Sequence, residues 1–142
     1  MPYATQQDLV DRFGETEVIQ LSDRANTGAI DVDVVAAKLG DAEAEINSYL
    51  VGRYTLPLNP VPAALQRVAC DIARYHLFDD RPTEYVAQRY KDAIRFLELV
   101  AKGSVQLGTD PEGNAPPSAA GAPEYSAREP VFNRDKLKDF TG

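Results

Sequence analysis

The chain is poor in the residues from which reactive sites are built. It has a single cysteine, Cys70, so no intrachain disulfide can form and nothing favours an oxidising compartment. The spacing of Cys70 among Leu65, Val68, Ala69 and Ile72 fits a small apolar core residue better than a nucleophile. The single histidine, His76, falls on or beside an apolar helix face with no second histidine and no cysteine cluster, which leaves zinc or iron short of ligands. No apolar run approaches the ~18 residues needed to span a bilayer, and MPYATQQDLV is neither a charged nor an apolar targeting segment. A cytoplasm-like compartment and no membrane are expected. Basic side chains are a minority: 15 against 22 acidic ones give a net charge of -7, and they form no stripe of the kind that neutralises phosphates. The acidic balance suits solubility, or a surface that repels passing DNA without holding it.

Motifs for chemistry are missing too. The glycines spell neither GxxxxGK[ST] nor GxGxxG, so no phosphate cradle is indicated, and no nucleophile elbow supports a triad from Ser48 and His76. Asp41 and Glu45, four apart on one face, read as solvated surface rather than a paired acid and base. Asp79 and Asp80 stand at a helix end where negative charge is unfavourable. The tyrosines at 49, 54, 75, 85 and 90 read as core and rim aromatics with their hydroxyls at the surface. No enzyme, metal or cofactor is expected.

What the sequence does hold is helical periodicity. At 142 residues and 44% hydrophobic content, one core is expected. Asp31 to Leu58 organises it: Val32, Val35, Ala36, Leu39, Ile46, Tyr49 and Leu50 recur on one helix face. Asp31 caps that helix, Gly40 interrupts its pattern, Gly52 frays its end and Pro57 stops it. Before it, Thr5 caps a short helix with Leu9, Val10 and Phe13 inward and Gly14 as a left-handed terminator. Thr16 to Leu21 makes a turn or two, and Ser22 to Gly28 is a polar loop. After it, a helix from Pro62 turns Leu65, Val68, Ala69, Ile72, Tyr75 and His76 inward and Gln66, Arg67, Asp71 and Arg74 outward. Thr83 caps a last helix with Val86, Tyr90, Ala93, Ile94, Leu97 and Val100 inward, ending at Gly103. The result is an all-α small helical bundle with a long central helix, over residues 1–107.

Composition changes at Gly108. Residues 108–130 carry five of the ten prolines and little to bury, which reads as a flexible linker able to reach at most about 75 Å drawn out. Residues 131–142 then set Val131, Phe132, Leu137 and Phe140 among charged and polar neighbours, the pattern of a docking segment at the end of an extended Pro/Ala/Gly-rich arm.

These residues resemble a known family. Tyr3-Ala4-Thr5, Asp8-Leu9, Arg12-Phe13-Gly14 and Leu21-Ser22-Asp23 are similar to the opening of the small head-to-tail connector proteins of Mu-like phages and prophages. The centre carries the match furthest: Asp41-Ala42, Ile46-Asn47-Ser48-Tyr49-Leu50, Arg53-Tyr54 and Leu56-Pro57-Leu58. Asp71-Ile72-Ala73, Tyr75-His76-Leu77, Tyr90-Lys91-Asp92-Ala93, Leu97, Gly103 and the ending Phe132-Asn133-Arg134-Asp135 with Leu137 and Phe140 continue it. Asn47 stands where the family pattern suggests an acidic residue. The resemblance implies a non-enzymatic virion component at the head-tail junction, present in the host cytoplasm during assembly. It implies a ring of sister copies, twelve by analogy with other phage adaptors, between a portal protein and a tail-side neck protein, with DNA passing through the lumen unbound. Val34 and Val51 are expected to serve the side-to-side contacts, and Phe132, Arg134, Leu137 and Phe140 to grip a neighbour. The alternative is a phage DNA-packaging or regulatory binding module.

Overall fold

The computed structural model describes residues 2–79, 81–110 and 113–118. It places five helices in sequence: α1 Gln6–Phe13, α2 Glu15–Ser22, α3 Val32–Leu50, α4 Ala63–Leu77 and α5 Glu84–Lys102. Among the described residues no strand forms, only an isolated antiparallel bridge between Tyr54 and Ser118. The chain is all-α, as its periodicity predicts.

Local chemistry accounts for the helix ends. Thr5 and Asp8 close a reciprocal capping box on α1, with Thr5 Oγ1 accepting from the Asp8 amide at 3.2 Å and Asp8 Oδ2 accepting from the Thr5 amide at 2.8 Å. Gly14 joins α1 directly to α2 at φ +92 and ψ 145, outside the left-handed helical well expected of it. Asp31 Oδ1 accepts from the amides of Asp33 and Val34, and Thr83 Oγ1 from that of Val86. Gly40 leaves α3 unbroken.

The most enclosed helix is α4, packed between α3 and α5 and against α1. Leu65, Val68, Ala69, Cys70, Ile72, Ala73 and Leu77 are all buried on it, facing Val35, Ala42, Ile46 and Leu50 of α3 and Ala93, Leu97 and Val100 of α5. Each leucine or isoleucine so buried stabilises the fold by roughly 1.5–3 kcal/mol.

Four sequence expectations need correction. Asp71, expected outside, is 2% exposed. Because α4 is covered nearly all round, its carboxylate is held by Arg89 at 3.2 Å and Arg67 at 3.7 Å. Ser22, expected in a loop, is the buried last residue of α2, its hydroxyl donating to the Val18 carbonyl and accepting from the Asp31 amide. Val32, expected inward, is 58% exposed, because the first turn of α3 stands at the edge of the bundle and its core contacts begin at Val34. Val34, expected outside, packs part-buried against the core.

Residues 108–110 and 113–118, from the segment read as linker, lie against the loop between α3 and α4. Ala63 donates its amide to Thr109 O, Thr55 donates its amide to Pro117 O and its hydroxyl to Ser118 O, and Pro116 is buried. The rest of that segment and the whole of 131–142 lie outside the described residues.

Candidate functional site

One polar cluster ties three helices together. Glu45 projects from α3 between α4 and α5, where Tyr90 OH donates to its Oε2 at 2.6 Å and His76 Nε2 meets its Oε1 at 3.0 Å. Tyr75 and Tyr90 stack with centroids 4.0 Å apart and planes 9° off parallel, and His76 stands edge-on to both. The sequence expectation that Glu45 lies on solvated surface is thereby corrected: its side chain is 25% exposed and both oxygens are engaged. Burial first, and the Glu45 bond second, push the Tyr90 phenol above its usual range. With both Glu45 oxygens spent on helix-to-helix bonds, the cluster works as a clasp.

A second clasp involves Asn47, which accepts a short hydrogen bond from Tyr3 OH and so fastens the segment before α1 to α3. Burial, with Glu43 adding to it, raises the Tyr3 phenol to about 12. Burial likewise raises the Cys70 thiol to about 12, the behaviour of a core cysteine. Desolvation raises the Asp71 carboxyl, with Arg89, Arg67 and Arg12 pulling the other way. Among the described residues no group of three or more His, Cys, Asp or Glu could hold a metal ion, and no helix is long and apolar enough to cross a membrane.

The surfaces are less neutral than the interior. Among the described residues the exposed large hydrophobics are Val32, Val51 and Tyr85. Val51, 65% exposed just past the end of α3, stands where the sequence predicts a contact residue. Val34 does not, and Phe132, Arg134, Leu137 and Phe140 lie outside the described residues. Sequence reasoning missed an arginine and tyrosine face built by three helices. Arg74 of α4 bonds Glu17 through two nitrogens at 2.7 and 3.0 Å and lies 4.1 Å over the Phe13 ring. Arg74 and Arg89 each come within 6.0 Å of the Tyr85 ring. Arg12 of α1 donates to Gln66 beside them. Nothing short of the fold assembles this face, because its arginines are spread over 78 positions of sequence, from Arg12 to Arg89.

A cleft of about 330 Å³ opens beside Arg53, Tyr54, Val105, Pro116 and Ser118, where the returning chain crosses the end of α5. Its lining holds Arg53 but no carboxylate or histidine, so it offers no paired acid and base.

The chain matches the family model for bacteriophage Mu Gp36 over residues 3–124. It is 40% identical over 138 residues to Mu-like prophage FluMu protein gp36 of Haemophilus influenzae, covering 97% of each chain. It is 36% identical over 141 residues to gene product J of Escherichia phage Mu, covering 99% of each.

Proposed function

The chain belongs to the bacteriophage Mu Gp36 family, and on that footing we propose that it is a structural, non-enzymatic virion component. It is a connector that forms a ring of sister copies at the portal and joins the DNA-filled head to the tail. The observation that carries this reading is the outer side of α3, where the small residues Ala37, Gly40 and Ala44 run exposed toward an exposed Val51, while polar groups on the inner side are closed into helix-to-helix bonds. Such a molecule offers faces rather than a chamber. An acidic chain lining a channel repels the DNA backbone and lets it slide. The segment 131–142 supplies the grip on a neighbour, held to the body through residues 108–110 and 113–118.

The test is a phage or prophage carrying the chain truncated after Ser118, which keeps every described contact to the body. Filled heads and free tails should accumulate unjoined while the truncated protein still folds. Normal joined particles from this truncation would remove the docking role of 131–142, and normal particles from a complete deletion of the gene would remove the connector role itself.

A further inference from the structure

We propose that copies of this chain bind head to tail through two opposite faces, the outer face of α3 on one copy and the arginine and tyrosine face on the next. The proposal rests on the connector reading and names the surfaces it would use.

The α3 face is laid out by spacing. Asp33, Ala37, Gly40, Ala44 and Val51 recur at heptad steps along the helix, and all are exposed. Asp41 stands beside them. Gly40 is the telling residue, because no atom of the fold lies within 4 Å of where its Cβ would sit. Glycine is unfavourable in mid-helix, and no neighbour within the chain requires it here. A flat stripe centred on a glycine lets a partner's side chains approach the backbone closely.

The opposing face consists of Arg12, Arg67, Arg74, Arg89 and Tyr85. Its arginines bond two carboxylates, Asp71 and Glu17, and gather four guanidinium groups on one side of a chain whose net charge is -7. The side chains of Arg67 and Arg89 are 43% and 36% exposed, and Tyr85 is 63% exposed. Tyrosine with arginine is the composition of interface anchors. At about 100° per residue, Arg67 and His76 point in opposite directions from α4. His76 bonds Glu45 of α3, so α3 lies on the side of α4 away from Arg67.

Charge complementarity selects the occupant. Asp33 and Asp41 on one copy match the part-exposed guanidinium groups of Arg67 and Arg89 on the next, and two copies of the acidic face repel each other. Four arginines already bonded to Gln66, Asp71 or Glu17 are poorly placed for a duplex backbone, where firm binding draws on several phosphate contacts. Because the faces are different and opposed, each contact leaves one of each free, which is the geometry of a ring or filament.

The experiment is the mass of the full chain in solution, at low and high salt, alone and with portal protein. Asp33→Arg with Asp41→Arg, and separately Arg12→Glu with Arg67→Glu, should each abolish the association of copies, while an equimolar mixture restores a 1:1 complex through the two intact faces. Gly40→Leu should block association while the single copy unfolds at a temperature no lower than the parent's, separating loss of contact from loss of fold. The proposal is overturned if these variants associate like the unaltered chain, if the mixture fails to pair, or if the unaltered chain stays a single copy in all conditions. It is also overturned if Arg12→Glu with Arg67→Glu loses binding to duplex DNA but still assembles. Normal head-to-tail joining by the Asp33→Arg and Asp41→Arg variant would sink these faces alone, whereas normal joining without the gene would sink the connector reading.

Discussion

The Arg53 guanidinium occupies the space in which a side chain at Gly103 would begin, with Nη2 at 2.8 Å and Cζ at 2.9 Å from the Cβ position. Arg53 donates from Nε to the Ala101 carbonyl at 3.0 Å and from Nη2 to that of Lys102 at 2.9 Å, closing last-turn carbonyls of α5 that have no helical partner. Gly103 itself sits at φ +83 and ψ 5, the left-handed cap. Gly103→Ala is therefore expected to lower stability by about 1–3 kcal/mol, backbone strain and the clash adding together. Chemical denaturation of Gly103→Ala, Arg53→Ala and the double variant checks it: the double should cost less than the sum, because removing Arg53 relieves the clash.

Glu45→Ala removes the acceptor for both Tyr90 and His76 and should cost about 1–3 kcal/mol at neutral pH. The sign of its pH dependence follows from Tyr90, whose folded pKa is raised. A raised phenol pKa contributes stability that is fully present below the unfolded value of about 10 and is lost as pH rises toward the folded value. Without Glu45 that rise is smaller, so the stability gap between variant and parent should narrow above pH ~10. Denaturation as a function of pH, with ultraviolet titration of the tyrosines, measures both.

Asp23 organises the loop between α2 and α3 by accepting from the amides of Thr27 and Gly28 at 2.8 and 2.6 Å and from the Thr27 hydroxyl. The Thr27 amide bond, followed by that of Gly28, lowers its pKa. A lowered carboxyl pKa contributes stability present above the unfolded value of about 3.9 and lost as pH falls through the folded value. Asp23→Asn should melt at a lower temperature at pH 7, and the difference should close as pH drops below about 4.

Gly40→Ala should stabilise the isolated chain by up to about 1 kcal/mol, since the added methyl meets open space on an exposed helix. Thermal and chemical unfolding of the single copy are the measurements.

Much of the fold was legible because helices announce themselves through spacing and caps: Thr5, Asp31, Thr83 and Gly103 mark helix ends as read. The misreadings share a cause. Asp71, Glu45 and Ser22 are polar, and sequence assigns polar groups to water unless a partner is in view. Their partners are Arg89 at 18 positions distant, Tyr90 at 45 and His76 at 31, and Asp31 at 9. The packing of α4 between α3 and α5 brings Asp71 and Glu45 to their partners, and the turn from α2 into α3 brings Asp31 back onto Ser22. Pro116 misled in the other direction, because a proline-rich stretch looks unable to bury anything, yet Pro116 is buried where the returning chain meets the loop between α3 and α4. At the proposed interface, Val51 was legible as an exposed apolar residue on a helix. The arginine face was not, since counting charges along a chain does not reveal which ones converge.

The bridge between Tyr54 and Ser118 shortens the leash. Measured from Gly108, the docking residues could sweep a sphere wide enough to touch almost any neighbour in a phage neck. Measured from Ser118, only twelve residues precede Val131, and twelve residues stretch to about 40 Å at most. Whatever Val131 and Phe132 seize must therefore lie within about 50 Å of Ser118 and the Tyr54 it pairs with, a limit that a map of the assembled neck can test with a ruler.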